Sequence, residues 1–294
     1  MFIQRPTIKR VATRIITGLI ALIIIGSSAY ASYSYLSSQQ AVQEEKQVEN
    51  ARVAVAKAEA EAEAVKEAKK KEPVYITLIG TKPIRAIVED YLLPNSIWAI
   101  ASKTHAISID YIPSSLKIPG VETRTDKSDI ERSVRSDIET PLKNMFTQAS
   151  TDGHPLMIGS GYRSAALQKI YFDNLASSVG EEIANQAIAR PGQSEHQTGL
   201  AVDISTLSQQ CYLSECFANT EDGIWLAKNA YKYGFILRYP EGKEVITGYQ
   251  YEPWHFRYVG IDLATALYES NLTLDEAWSY LEKARDTLYE NGAI

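Results

Sequence analysis

The sequence predicts an α+β domain with a small, largely antiparallel sheet flanked by helices, preceded by an N-terminal transmembrane helix and a helical stalk. Three observations carry that expectation: an uncharged run near the N-terminus, an Ala/Glu/Lys-rich stretch free of Gly and Pro behind it, and helix and strand patterns after Pro73 that do not alternate as βαβ units would. The 294 residues are 45% apolar and 22% charged, enough to bury a core, which excludes disorder throughout. Only 2 Cys exclude a disulfide-stapled mini-protein, and 16 Gly with 11 Pro exclude collagen-like or Pro/Gly low-complexity chains. Residues 1–73 hold 11 Lys+Arg against 8 Asp+Glu, leaving 19 against 28 and a net charge of −9 for residues 74–294. An acidic domain lacks the clustered cations that neutralise phosphates, so no nucleic acid is expected as a partner.

In residues 1–38 the uncharged stretch from Ile15 through Gln40 follows Arg5, Lys9, Arg10 and Arg14, an export signal with its positive end inside. Two readings stand: a retained anchor from Ala12 to Tyr35, or a cleaved signal with a small-residue site at Ala29-Tyr30-Ala31. The anchor is preferred because Tyr30, Tyr33 and Tyr35 suit an interfacial aromatic belt. Either way the remainder lies outside the cytoplasm. Residues 39–73 form the stalk, built of strong helix formers that cannot supply a core of their own. Fully helical, residues 41–72 would reach on the order of 48 Å at roughly 1.5 Å per residue. Val48, Val55, Ala58, Ala62 and Val65 make a weak stripe, and Ala is a poor coiled-coil knob. A single-helix spacer is therefore preferred over a dimerising coil, and the oligomeric state stays open.

Residues 74–294 form the extracytoplasmic domain. Ser128 to Ser150 has helical periodicity behind a capping Ser or Asp, Pro155 to Ser160 is a short apolar strand, and Ser164 to Ser178 is a helix with Leu167, Ile170, Tyr171 and Leu175 on one face. Leu200 to Ile204 reads as a strand, Gly223 to Tyr233 as a helix, Phe235 to Tyr239 and Val245 to Val259 as strands. Helices follow at Ile261 to Ser270 and Leu274 to Tyr289. Cys211 and Cys216 sit in CYLSEC after the Leu200 strand, where a local disulfide of an exported chain is favoured over free thiols.

The chain has four histidines, His105, His154, His196 and His255. His196 lies in a loop running into the apolar strand that delivers Asp203, and His255 lies in the aromatic segment Glu252-Pro253-Trp254-His255. A catalytic zinc site wants three protein ligands and one open position, a count that His196, Asp203 and His255 supply. Glu252 remains as the uncommitted carboxylate that a general base must be. A regular strand from Tyr249 to Val259 would point Glu252 and His255 to opposite faces, so a kink, bulge or turn at Pro253 is required. His105 and His154 stand in no ligand pattern and are assigned structural or surface roles.

The strings SGYRS (Ser160 to Ser164), SEHQTGLAVDIS (Ser194 to Ser205) and EPWHFRYVG (Glu252 to Gly260) closely resemble the VanY-type D-alanyl-D-alanine carboxypeptidases, in a zinc peptidase group that also contains the LD-carboxypeptidases of Gram-positive bacteria. The family pattern SxHxxGxAxD followed by ExWH occurs intact and in order, and Ser102 to Leu116 resembles the family's lead-in segment. The resemblance runs from roughly Trp98 to Gly260, more than half the chain. It implies His196, Asp203 and His255 as ligands of one zinc ion, Glu252 as catalytic base, and Arg163 as a contact to substrate or oxyanion. Arg163 suits either role because its forked guanidinium is always cationic. Tyr162, Gln168 and Ser194 match family positions near the substrate, while Trp254 is expected to wall the site. The implied activity is removal of the C-terminal D-alanine of peptidoglycan stem peptides by direct water attack, without a covalent acyl-enzyme. LD-carboxypeptidase or endopeptidase action on the same substrates is the alternative. A non-catalytic wall-binding module is the other, and an intact Glu252 argues against it.

Overall fold

The computed structural model describes residues 8–70 and 72–294, without the side chains of residues 8–15. Arg5 and the side chains of Lys9, Arg10 and Arg14 lie outside the described residues. Helix α1 (Ile8–Lys70) runs unbroken for 63 residues, through both the apolar run and the Ala/Glu/Lys segment. From Ile16 onward it contains a stretch long and apolar enough to cross a membrane, with none of it buried against protein. Its serines hide their polarity: Ser27 Oγ donates to Ile24 O at 3.0 Å and Ser32 Oγ to Ser28 O at 2.9 Å. Lys69 and Lys70 close the last turn, where cations meet the negative end of the helix dipole. The residues through Ala68 form one compact unit and Lys69–Ile294 a second.

In the second unit β1 (Tyr75–Ile76) pairs with β2 (Ile84–Arg85), and β3 (Leu116–Lys117) with β4 (Val134–Arg135), which follows the single turn α2 (Asp129–Arg132). The chain continues through α3 (Glu139–Thr151), β5 (Leu156–Ser160), α4 (Ala165–Val179), α5 (Glu181–Ala187), β6 (Ala201–Thr206), α6 (Glu221–Asn229), β7 (Phe235–Leu237), α7 (Glu244–Thr247), β8 (His255–Tyr258), α8 (Ile261–Ser270) and α9 (Leu274–Glu290). Strands β5, β6, β8 and β7 lie in that order in one antiparallel sheet. Because side chains alternate along a strand, Val202, Ile204 and Phe256 share one face and join Leu142, Phe146 and Leu226 in a buried cluster under α3 and α6. Asp203, Ser205, His255 and Arg257 take the other face. They are buried as well, although polar. A second cluster, with Trp98, Ile236, Val259, Leu263 and Leu281, joins α8 and α9 to the sheet's β7 side.

Two segments depart from the pattern read in the sequence. The expected helix from Ser128 to Ser150 is interrupted between α2 and α3. Ser133 is extended, and its carbonyl accepts the Tyr162 N–H at 2.7 Å while Glu131 O accepts the Gly161 N–H at 2.6 Å. A Cβ on Gly161 would stand 2.3 Å from Ser133 O, so the two backbones meet only because that residue has no side chain. The expected strand from Val245 to Val259 holds strand structure only at β8. Its first part is the turn α7, stopped by Gly248 in the left-handed region at φ 76°.

Candidate metal centre and substrate cleft

Asp203 and His255 are direct cross-strand partners in the β6–β8 register, which puts their side chains next to each other on the polar face. His196 comes from the short 3-10 turn Glu195–Thr198 that feeds β6. Gly199 ends that turn at φ 70°, and its carbonyl accepts the Arg135 N–H at 2.9 Å, so the motif glycine both reverses the chain and lies against β4. The turn and the SGYRS segment clasp each other: Arg163 N–H donates to His196 O at 3.1 Å, and His196 Nδ1 donates to Gly161 O at 2.6 Å. This second bond leaves His196 Nε2 free to face Asp203. The lead-in segment braces the same turn, since Gln197 Nε2 donates to Ser108 O at 2.8 Å and Tyr111 O at 3.1 Å.

The requirement at Pro253 is met by a turn. Glu252 O accepts the His255 N–H at 3.1 Å, enclosing Pro253 at the second position, where its fixed φ is favoured. Glu252 is thereby folded back beside the strand, and its Oε2 lies 3.6 Å from His255 Nδ1. Around that point His196 Nε2 is 3.3 Å from Asp203 Oδ2 and His255 Nδ1 is 3.2 Å from Asp203 Oδ1, with the two imidazole rings edge to face at 4.9 Å. One ligand atom from each of His196, Asp203 and His255 lies within 4.8 Å of the others, the His/His/carboxylate set that zinc accepts.

The charges agree with such a centre. Burial works to raise Asp203, but His196 and His255 outweigh it and hold the carboxyl far below its usual range. Burial opposes protonation of His255, yet Asp203, Glu195 and Glu252 surround the ring and lift it to about 9. His196 is pushed down by burial against the pull of Asp203. Burial pushes Glu252 up to about 7, with His255 and Arg163 opposing and Asp203 reinforcing. Two imidazoles and two carboxylates packed this closely are a set that a divalent cation can enter by displacing protons.

The centre lies in a cleft of about 320 Å³ whose lining includes Arg163, Gln168, Ser194, Glu252 and Trp254. Arg163 projects from the loop after β5, its Nη1 donating to Gln168 Oε1 at 3.1 Å and Nη2 to Ser160 Oγ at 3.2 Å, with Asp203 Oδ2 at 3.8 Å. Gln168 is fixed in turn through Ala189 O at 2.7 Å. Tyr162 is placed differently from the others: it is buried, it is not among the cleft-lining residues, and Tyr111 is close enough to act on its hydroxyl. His105 packs against Trp278 with the rings tilted at 59°, and His154 meets Asp222 at 3.2 Å, both away from the cleft. Cys211 and Cys216 are disulfide-bonded, and the loop they close brings Tyr212 and Leu213 to the cleft wall.

Sequence reasoning passed over Glu195, Lys127, Tyr171, Tyr212, Tyr239 and Tyr249, all of which line the cleft. Glu195 was findable, because a carboxylate beside a ligand histidine in a segment leading to an apolar strand needs a partner. Tyr171 reads in the sequence only as part of the periodic face of α4, and Tyr212, Tyr239 and Tyr249 come from separate loops with no periodic signal.

The model of the VanY family, described as D-alanyl-D-alanine carboxypeptidase, matches residues 131–261. The putative carboxypeptidase YodJ of Bacillus subtilis is 48% identical over 192 residues, covering 65% of this chain and 69% of that protein. Among solved structures, the LdcB LD-carboxypeptidase is 48% identical with a TM-score of 0.61, covering 63% of this chain and 87% of its own. A mutant of the vancomycin-resistance D,D-pentapeptidase VanY, in complex with Zn(II), is 32% identical with a TM-score of 0.51, covering 62% of this chain and 98% of its own. Fold and likeness together define the class: an α+β carboxypeptidase. The chain belongs to the VanY family of D-alanyl-D-alanine carboxypeptidases.

Proposed function

We propose that this chain is a zinc-dependent carboxypeptidase that removes the C-terminal D-alanine of peptidoglycan stem peptides. The observation that carries the reading is the convergence of His196, Asp203 and His255 on one point, with Glu252 beside them. These three residues would hold the metal. When bound, zinc supplies Lewis acidity, polarising a carbonyl oxygen and acidifying water. Glu252 takes the proton of the attacking water and returns it to the leaving amine, a role suited to a carboxyl poised near neutrality. Arg163, held by Gln168 and Ser160 at the cleft wall, offers its fork to the developing oxyanion or to the peptide's terminal carboxylate. Gln168 and Ser194 bound the same space, and Trp254 closes one side.

Residues 1–38 are proposed as the membrane anchor, 39–73 as the stalk and 74–294 as the extracytoplasmic catalytic domain. The apolar stretch within α1 supports the first assignment. LD-carboxypeptidase action on tetrapeptide stems is a second reading, favoured by the greater likeness to LdcB than to the vancomycin-resistance VanY structure, 48% against 32% identity. The test is to incubate the zinc-loaded protein with pentapeptide and tetrapeptide stems and read released alanine by mass. Alanine from pentapeptide supports the first reading, alanine from tetrapeptide alone the second, and none from either overturns both.

A further inference from the structure

Glu195, Arg238 and Arg257 have no exposed side-chain surface. Arg238 Nε and Arg257 Nη1 both donate to a single oxygen of Glu195, Oε1, at 2.8 and 2.9 Å. The arginines are otherwise fully engaged: Arg238 with Asp275 at 2.5 and 3.3 Å, and Arg257 with the carbonyls of Ile97, Ala99 and Tyr258 at 3.0, 2.7 and 3.0 Å. Two cations and two carboxylates balance, so the arginines leave Glu195 Oε2 without a donor. That oxygen is buried and unpartnered, as is His255 Nε2, and the two face each other at 3.9 Å. A buried acceptor left without a donor is costly, and the imidazole edge turned away from Asp203 faces it as a buried group that also lacks a partner.

We propose that Glu195 is a positioning residue for the metal centre: its Oε2 accepts the Nε2–H of His255 and so directs the ring's Nδ1 lone pair toward Asp203 and Glu252. The inference rests on the zinc site proposed above. The two histidines are then held by opposite edges. His196 donates Nδ1–H to a carbonyl and presents Nε2, whereas His255 donates Nε2–H to a carboxylate and presents Nδ1. One short turn supplies both a ligand, His196, and the orienter of the other histidine, Glu195. Closing the 3.9 Å gap to hydrogen-bond length needs a shift of about an ångström.

The test compares zinc affinity of the full-length chain in detergent micelles, by competition with a chelating dye, for the wild type, Glu195→Gln and Glu195→Asp, each checked for folding by circular dichroism. Glu195→Gln is expected to bind zinc about 10- to 100-fold more weakly, because an amide oxygen turned to the arginines offers an N–H to Nε2 and favours the wrong tautomer. Glu195→Asp keeps the charge with shorter reach and falls between. A folded Glu195→Gln with wild-type affinity overturns the proposal. If neither variant folds, ring 15N NMR of the zinc-loaded wild type decides: a His255 Nε2–H shifted downfield by a carboxylate supports it, and one with the shift of an unbonded imidazole overturns it. A wild-type chain that takes up no zinc would sink the metal reading itself, and this proposal with it.

Discussion

The two edges of the His255 ring face different surroundings: Glu195 on the Nε2 side, and Glu252 beside the ionised Asp203 on the Nδ1 side. On the Nε2 side, burial raises Glu195, but Arg238 and Arg257 outweigh it and hold the group ionised far below its usual range. On the Nδ1 side Glu252 meets burial with weaker opposition and is pushed up to about 7. The difference is one of compensation. Where the fold is closed every charge is matched from within, and where it opens on the cleft an anionic surplus is left for a cation and a substrate to satisfy.

The sharpest way to break this comparison is His255→Ala, which removes the group both sides share. Zinc content, measured by elemental analysis of the purified protein, is expected to fall to background together with all activity. Glu252→Ala acts on the open side alone. It should keep zinc and lose about 10² to 10⁴ in kcat, read from alanine release. An unchanged rate would remove Glu252 as the base. Arg257→Ala acts on the closed side and should appear as lost stability, about 3–5 kcal/mol in urea unfolding, since it strips a buried carboxylate of a partner. Equal losses of rate from the Glu252 and Arg257 substitutions, at unchanged stability, would erase the distinction.

The smallest effect is expected at Glu131, which pairs with Lys127 at the cleft rim. Burial raises this carboxyl, but bonds from Ser128 and Tyr171, with Lys127, bring it down to about 2. A folded-state value below the unfolded one means its stabilisation is complete above the ordinary Glu range near 4.5 and fades as pH falls toward 2. Glu131→Gln should therefore flatten acid unfolding between those limits, by on the order of 1–3 kcal/mol, and leave stability at pH 9 little changed relative to pH 7.

Strong local patterns were legible in the sequence. The strand bearing Asp203 and helices α4, α8 and α9 follow from periodicity and caps: Ser164 accepts the Leu167 N–H, and Thr273 with Glu276 forms a capping box. The His196, Asp203 and His255 grouping followed from spacing and resemblance. What escaped was set by tertiary contact. The break at Ser133 is imposed by the chain arriving at Gly161, and the failure of the strand near Val245 reflects glycines at positions 242 and 248 that take left-handed conformations. Tyr212 reaches the cleft from the loop that Cys211 and Cys216 close, a placement with no local sequence signal. The orienting Glu195 escaped because its partners, at 238 and 257, are distant in the chain.

The β6–β8 register has a further consequence for how this chain tolerates insertions. Asp203 and His255 oppose each other although 52 positions separate them along the chain. Loops in that interval can be lengthened or exchanged without disturbing the pair. A single extra residue inside either strand would rotate one of the two side chains through the sheet onto the apolar layer. Variation that reshapes what enters the cleft is thus confined to the connecting segments, while the strands themselves accept changes of residue but not of length.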